Sequence, residues 1–377
     1  MKNMKKFFVL LLTLAMVFAM TACGESAEPT PAPVEGGEPA ATKVAVFWYN
    51  FGDAFLSTVR DALDADLTKA GVEFQNFDGA TDQSTQLEQI QTAVTNGFNI
   101  LVVNVVSSGS ADIAEQIIDA ANGLPVIFFN RAIEGDGEDG KVLNAHSNIA
   151  FIGTDAPEAG HMQGKMIGDF LVANYDEVDL NGDGVISYAM FMGDANNVEA
   201  IYRTRYGVED ANAVLTANGY PELEYFNANS SEKYQLDPNG AWSSAAGNEF
   251  MTTNLAEYSE ANGNMIELVI ANNDDMALGA MAALQSAGYN NNDGGKTIPV
   301  FGVDATQPAR DAIAAGGMTG TVLQSATAMA DAICSTVVAV AGDAAPADAV
   351  AGLASGDGLS LAAGFTNKLY VAYQPVA

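Results

Sequence analysis

The sequence predicts an α/β protein that folds as doubly wound parallel sheets in two domains. Short β-rich runs alternate with longer amphipathic stretches from Lys43 onward, and strand-helix alternation of this kind is typical of parallel sheets. About 335 residues follow Thr42, which is more than one simple core accommodates. Several β-rich runs end in polar residues, and ligands of such folds bind at the carboxyl ends of the strands.

The amino-terminal segment predicts export. Lysines precede an apolar run at residues 7–20, and small residues then lead to Cys23, so residues 1–22 are interpreted as a signal peptide. The segment Met20–Cys23 resembles a bacterial lipobox, in which the cysteine is diacylated; the alternative is a plain secretory peptide with an incidental cysteine. The prediction is an extracytoplasmic lipoprotein that contacts the membrane through its lipid anchor only.

A tether and a strongly acidic body follow. Residues 23–42 comprise the lipidated cysteine and a segment rich in Pro, Gly and Glu, which predicts a flexible linker. The formal net charge of -32 disfavours nucleic acid as a partner. The chain contains two cysteines, and lipidation of the first leaves Cys334 as a buried helix residue without a disulfide partner.

The β-rich runs define the predicted strands. In chain order they are VAVFWY, VEFQNF, ILVVNVV, PVIFFN, IAFIGT, YAMFMG, LEYFNA, LVIANN, PVFGVD, GTVLQS and LYVAYQP, with helical segments between most of them. Asn130, Asn273, Asp304 and Gln324 lie at or near the ends of four runs, where each is also a suitable cap or turn residue. Together they predict a ring of amides and carboxylates suited to a neutral polyol.

Residues 179–187 open like an EF-hand loop, with oxygen donors at positions one, three, five, seven and nine and glycine at six. The donors are Asp179, Asn181, Asp183, the backbone carbonyl of Val185, and Ser187. Position twelve is Met190 rather than a bidentate glutamate, and a strand follows instead of a helix. The sequence therefore predicts a calcium site whose missing carboxylate comes from elsewhere, with a metal-free turn as the alternative.

From Lys43 to Tyr373 the chain resembles the bacterial galactose/glucose-binding proteins, of the ribose-binding-like class of periplasmic receptors. The stretches ELVIANNDDMALGAMAAL and IPVFGVDA carry much of this resemblance. It implies two lobes joined by three crossing strands, near Gly153–Asp155, Gln324–Ser325 and Tyr370–Val371. The lobes would comprise residues 43–153 plus 325–370 and residues 154–324 plus 371–377.

The resemblance also implies a sugar site. Phe55 and Trp242 occupy the positions of an aromatic pair that sandwiches a pyranose ring. The implied polar contacts are Asp53, Asn130, Arg203, Asn273 and Asp304. Three further contact positions depart from the family pattern, with Asn197 in place of His, Glu199 in place of Asp and Gln324 in place of Asn. Glu267 aligns with the distant glutamate that completes the family's calcium site.

The implied function is capture of a monosaccharide, D-galactose or D-glucose, and its delivery to the transmembrane subunits of an ABC importer by a monomeric receptor. A chemoreceptor or sensor kinase is a further expected partner. The three departures leave a pentose or a glycoside as an alternative ligand. A glycoside hydrolase using Asp53, Asp304 or Glu199 is a remote alternative, and no catalytic activity is expected. A sugar-responsive repressor is disfavoured because a signal and tether replace the DNA-binding segment.

Overall fold

The computed structural model describes residues 42–376, so the predicted signal peptide, Cys23 and most of the predicted tether lie outside the described residues. The described chain forms two mainly parallel sheets covered by helices, which confirms the predicted α/β class. Between residues 42 and 376, no helix combines the length and the apolarity needed to cross a bilayer.

The elements are numbered in chain order. The strands are β1 (Lys43–Trp48), β2 (Glu73–Asp78), β3 (Ile100–Val103), β4 (Val126–Phe129), β5 (Ile149–Gly153), β6 (Ser187–Met192), β7 (Glu224–Tyr225), β8 (Gln235–Leu236), β9 (Leu268–Ala271), β10 (Val300–Phe301), β11 (Thr321–Leu323), β12 (Leu359–Leu361), β13 (Lys368–Val371) and β14 (Gln374–Val376). The helices are α1 (Ala54–Lys69), α2 (Gln83–Thr95), α3 (Ala111–Ala120), α4 (Ala156–Val178), α5 (Val198–Ala217), α6 (Ser244–Glu257), α7 (Asp274–Ser286), α8 (Gln307–Ala314), α9 (Ala326–Ala341) and α10 (Pro346–Leu353).

The first lobe is built on a seven-stranded sheet with the order β12-β13-β5-β4-β3-β1-β2, parallel except for the β12–β13 pair. Side chains of β1 alternate between its two faces, as the strand period requires. Val44, Val46 and Trp48 pack with α1 and α9, whereas Ala45 and Phe47 pack with α2 and α3. All five are fully buried. Burial of each large apolar side chain here contributes about 1.5–3 kcal/mol to folding.

The second lobe is built on the parallel strands β10-β9-β6-β7, with β8 pairing at the carboxyl end of β6. Helices α4 and α5 cover one face of this sheet, and α6, α7 and α8 cover the other. Glycines at four-residue spacing, including Gly164, let α4 and α5 approach closely. A Cβ atom at Gly164 would lie 2.2 Å from the carbonyl oxygen of Tyr206, so a larger residue would force the helices apart.

Three chain segments connect the lobes, following β5, β11 and β13, and β11 pairs antiparallel with β14 beside the second sheet. The first two segments follow Gly153 and Leu323. The third follows β13, in which Tyr370 still pairs with Gly153 and Val371 with Leu359 inside the first sheet. The chain therefore leaves the first sheet after Val371, next to the crossing expected near Tyr370–Val371.

Candidate functional site

A pocket between the carboxyl edges of the two sheets brings together all ten side chains that the sequence nominated for ligand contact. Its lining residues are Tyr49, Asp53, Phe55, Leu56, Asn130, Arg131, Asn197, Glu199, Arg203, Trp242, Asn273, Asp304 and Gln324. The cavity volume of this pocket is about 40 Å³, well below the usual range for small-molecule sites. The two lobes therefore lie close together here, and entry of a sugar would require them to move apart.

Helix amino termini supply three of these side chains. Asp53, Asn197 and Asn273 are the N-cap residues of α1, α5 and α7, and each accepts a hydrogen bond from a backbone N–H of its helix at 2.7–3.1 Å. A capping residue must follow a strand or loop and precede a helix, so its position is set locally. Capping and ligand contact are compatible, because a carboxylate or amide has further donor or acceptor capacity.

Left-handed backbone conformations place three more residues. Asn130, Trp242 and Asp304 have φ values of 58°, 56° and 118°, which non-glycine residues rarely adopt. Hydrogen bonds also fix the position of Asn130, since the buried Asn104 amide donates to the carbonyl of Phe129 and to the Asn130 side chain. Strain of this kind, roughly 1–3 kcal/mol per residue, clusters at functional sites.

The aromatic side chains Phe55 and Trp242 are 6% and 7% exposed and both line the pocket. Trp242 rests against the backbone of Gly193, which follows β6. A Cβ atom at Gly193 would lie 2.1 Å from the indole, so only glycine leaves room for this ring. The Asn273 amide donates to the Trp242 carbonyl at 3.0 Å and helps to hold the residue in place.

Charges of both signs meet in the pocket. The Arg203 guanidinium donates to the Asn272 carbonyl at 2.9 Å and lies 3.9 Å from the Asp304 carboxylate. Burial raises the pKa of Asp304 well above its ordinary value, and Arg203 opposes that shift. Burial likewise raises the pKa of Glu199, against the opposing charges of Arg203 and Arg131. Burial therefore favours the protonated form of both carboxyl groups, and the neighbouring arginine charges favour the ionised form.

Arg131 and Tyr49 line the pocket but were missed at the sequence level. Arg131 donates to Asp194 at 2.9 Å, and its guanidinium carbon lies 4.2 Å from the centre of the Tyr49 ring. The Tyr49 hydroxyl donates to Asp53 at 2.6 Å. Arg131 follows the nominated Asn130 directly and Tyr49 follows β1, so position after a strand end is the signal that points to both. Leu56 is the third missed lining residue.

Four buried N–H groups of the pocket have no hydrogen-bond partner. Across residues 42–376, six buried side-chain polar atoms are unpaired, and four belong to residues that line this pocket. They are Arg131 Nε, Arg203 Nε, Trp242 Nε1 and Gln324 Nε2. An unpaired buried donor costs about 1–3 kcal/mol, so their concentration in one pocket favours a ligand that carries acceptors.

The EF-hand-like loop lies at the amino end of β6, in the second lobe. The Asp179 carboxylate accepts from the backbone of Gly182 and Gly184, and Asp183 accepts from Val185. The fully buried Glu267 accepts from the backbone of Asn181 and Ser187, which ties this distant carboxylate to both ends of the loop. No three Asp, Glu, His or Cys side chains of residues 42–376 form a group that could hold a metal ion.

The two histidines of the chain lie outside the pocket. His146 contacts Glu115 at 2.9 Å, and His161 contacts Asp210 at 2.7 Å on the exposed surface of the second lobe. Cys334 is buried in α9, as its apolar surroundings in the sequence indicate.

Comparisons with known proteins identify the family. A family model described as a periplasmic binding protein domain matches residues 44–344. The chain is 31% identical over 287 residues to the D-galactose/methyl-galactoside binding periplasmic protein MglB of Haemophilus influenzae, covering 75% of this chain and 77% of that protein. It is 23% identical over 322 residues to the ribose import binding protein RbsB of Bacillus subtilis, covering 85% and 88%.

Solved structures show the same fold. An ABC transporter solute binding protein from Bacillus halodurans with bound myo-inositol superimposes with a TM-score of 0.63 at 24% identity, covering 90% of this chain and 96% of that one. A solute binding protein from Clostridium phytofermentans with bound β-D-glucose gives a TM-score of 0.60 at 19% identity, covering 79% and 84%. The chain therefore belongs to the periplasmic binding protein family, among the type I sugar-binding proteins.

Proposed function

We propose that this protein binds a monosaccharide, D-galactose or D-glucose in the first place, in the pocket between its lobes and delivers it to an ABC sugar importer. The observation that carries the proposal is the set of four unpaired N–H donors, which share one pocket with three carboxylates. A sugar hydroxyl both donates and accepts, so a polyol satisfies donors and carboxylates together. The relative with 31% identity is a D-galactose/methyl-galactoside binding protein, which favours a hexose.

The aromatic residues give the pocket its second recognition element. Phe55 and Trp242 offer apolar ring surfaces, and the faces of a pyranose are lined with C–H groups. The polar groups can then pair with the hydroxyls at the edge of the sugar. Closure of the lobes around the sugar would produce the shape that the permease recognises. A chemoreceptor or sensor kinase that reads the same closed shape is a further proposed partner.

Calorimetric titration of the full chain with galactose, glucose, xylose, ribose and arabinose tests the ligand class. We expect a hexose to bind with the highest affinity. Preference for a pentose would overturn the hexose assignment, and binding of none of the five sugars would contradict the receptor proposal itself.

Hydrolysis of a glycoside is the competing interpretation of the buried carboxyl groups. Glu199 and Asp304 are both buried and their pKa values are raised, as in a glycosidase acid, but Arg203 is charge-paired with Asp304. Incubation with aryl glycosides should release no aryl alcohol. Steady release that disappears in an Asp53→Ala variant would favour the enzyme.

Replacement of Gly193 by alanine should displace the Trp242 ring and weaken sugar binding. The added Cβ overlaps the indole, and overpacking of this kind costs about 2 kcal/mol, or roughly thirtyfold in Kd. Titration calorimetry of the variant measures the loss. Gly352→Ala is a matched control, because Gly352 lies in α10 with no atom within 4 Å of the new Cβ. Equal Kd values for the two variants would contradict a role for Trp242 in binding.

A structural calcium ion in the second lobe is part of the proposal. The donor set would be Asp179, Asn181, Asp183, Val185, Ser187 and Glu267, and its three carboxylates would have to move closer together than they lie in this structure. All six supply oxygen atoms, which suits a hard cation, and Glu267 is already tied to both ends of the loop. Bound calcium would neutralise the carboxylates and hold the loop against β6 and β9.

Removal of calcium should lower the melting temperature of the protein while leaving the sugar pocket intact. A ligand that binds only the folded state stabilises it by mass action, so a chelator should shift the Tm downward by several degrees. Differential scanning calorimetry with calcium and with excess chelator measures the shift. The Glu267→Gln variant should show a smaller calcium response. An unchanged Tm in chelator would count against the site.

Cys23 is the proposed point of attachment to the membrane. A diacylated cysteine followed by a flexible tether would keep the receptor at the extracytoplasmic face, beside its importer. Mass spectrometry of the mature chain tests this, since an amino-terminal residue other than a lipid-modified Cys23 would exclude the anchor.

A further inference from the structure

Two of the three segments that connect the lobes contact one side chain, Arg203, and the third reaches it through Tyr373. This residue lies in α5 of the second lobe and is 3% exposed. Each connecting segment contributes one polar residue to its surroundings: Thr154 follows β5, Gln324 follows β11, and Tyr373 stands between β13 and β14. Tyr373 is 2% exposed and does not line the ligand pocket.

Hydrogen bonds join these groups into a continuous series. Arg203 Nη2 donates to the Tyr373 hydroxyl at 3.0 Å and to Gln324 Oε1 at 3.3 Å. The Tyr373 hydroxyl lies 2.9 Å from Thr154 Oγ1, which in turn donates to Glu199 Oε1 at 3.3 Å. The two residues at the ends of this series, Arg203 and Glu199, therefore line the pocket. Its middle members, Tyr373 and Thr154, lie in the hinge.

The chemistry of the groups determines the direction of every bond. A guanidinium can only donate, so the Tyr373 oxygen accepts from Arg203. Thr154 donates its single hydroxyl hydrogen to the Oε1 atom of Glu199. The Tyr373 hydroxyl hydrogen must therefore go to Thr154. Burial raises the pKa of Tyr373 to about 12, which keeps that hydrogen in place at neutral pH.

We propose that Tyr373 is a positioning residue that couples occupancy of the pocket to closure of the hinge. Its hydroxyl contacts both Thr154 and Arg203, and Arg203 also donates to Gln324, so the three connecting segments are joined. A ligand that binds Arg203 and Glu199 would fix both ends of this series of hydrogen bonds. The hydrogen bonds would in turn stabilise the hinge in the arrangement seen here. This inference rests on the proposed sugar-receptor function.

The ring of Tyr373 allows a clean test. It packs with Ala159, Val303 and Val322 of the second lobe, and Tyr373→Phe keeps that apolar contact while removing the hydroxyl. The substitution leaves Arg203 without one acceptor and Thr154 without its donor. Tyr370→Phe is the matched control. It removes a partly buried phenol hydroxyl from the neighbouring strand β13, and that hydroxyl is not part of the hydrogen-bonded series from Arg203 to Glu199.

The experiment uses the full chain with D-galactose as the probe. Stopped-flow tryptophan fluorescence gives the association and dissociation rates, because Trp242 lies in the pocket and the other tryptophan, Trp48, is fully buried in the first lobe. In Tyr373→Phe we expect about tenfold faster dissociation with an association rate within twofold of wild type. Tyr370→Phe should match wild type in both rates.

Hydrogen exchange of the ligand-free proteins provides a readout that needs no sugar. Peptides covering residues 150–157 and 321–326 should exchange faster in Tyr373→Phe than in Tyr370→Phe. A dissociation rate equal to wild type would overturn the proposal even if the Tm fell, because a purely structural role changes Tm alone. If wild type does not bind galactose, the proposed ligand fails instead, and unchanged exchange at these peptides would then overturn the inference.

Discussion

Replacement of Arg203 by lysine should weaken sugar binding at least a hundredfold while the protein remains folded. Lysine keeps the charge but loses the planar fork that reaches the Asn272 carbonyl, Gln324 and Tyr373 together. Loss of one partner in a buried, charge-assisted network costs about 3 kcal/mol or more, which corresponds to the predicted loss of affinity. Titration calorimetry with D-galactose measures the change.

Arg205 supplies the control on the same helix. It is exposed, and its guanidinium lies 5.8 Å from the Tyr202 ring without contact to the pocket. Arg205→Lys should therefore bind sugar as wild type does, and circular dichroism should show both variants folded. If Arg203→Lys and Arg205→Lys bound galactose equally well, Arg203 would not be a ligand contact.

Neutralisation of Asp194 should speed release of the sugar. Asp194 follows β6 in the second lobe and accepts from Arg131 after β4 in the first, with side chains only 17% and 4% exposed. A pair this far from solvent is weakly screened, so it should hold the closed cleft more firmly than a surface ion pair would. In Asp194→Asn we expect about tenfold faster dissociation and little change in the association rate.

The substitution preserves the other hydrogen bond that this side chain accepts. Asp194 Oδ1 accepts from the backbone of Asn196 at 3.0 Å, and an asparagine oxygen can do the same. Glu260→Gln is a suitable control, since Glu260 pairs with Lys296 at 2.6 Å while both side chains are largely exposed. Equal release rates for the two variants would show that the bridge between the lobes does not stabilise closure. Stopped-flow fluorescence at low and high salt provides the measurement.

The site residues differ in how visible they are in the sequence. Asn273 follows a β-rich run and precedes a helix, so both its polarity and its position are local properties that the sequence displays. Arg203 lies in the second turn of α5, where periodicity alone does not separate it from an exposed arginine such as Arg205. The resemblance to a known family nominated it, and the structure places it in the pocket beside Asp304.

The residues that were missed depend on long-range pairing. Arg131 is 63 positions from Asp194, and the two meet only because the lobes are brought together. Thr154 is 219 positions from Tyr373, and these two meet because β5 and β13 are neighbours in the first sheet. The end of β13 also depends on long-range contacts, because its pairing with β5 and β12 decides where the strand stops. The calcium set and the lipid anchor remain predictions.

The sequence by itself determined the α/β class, the alternation of strands and helices, and the polar residues that follow strand ends, because these depend on periodicity and on capping over a few residues. The tertiary structure decided which of those residues share one pocket, which N–H groups are left unpaired in it, and how Tyr373 joins Arg203 to the hinge. The physical reason is that burial, pairing and desolvation depend on the surroundings contributed by distant parts of the chain.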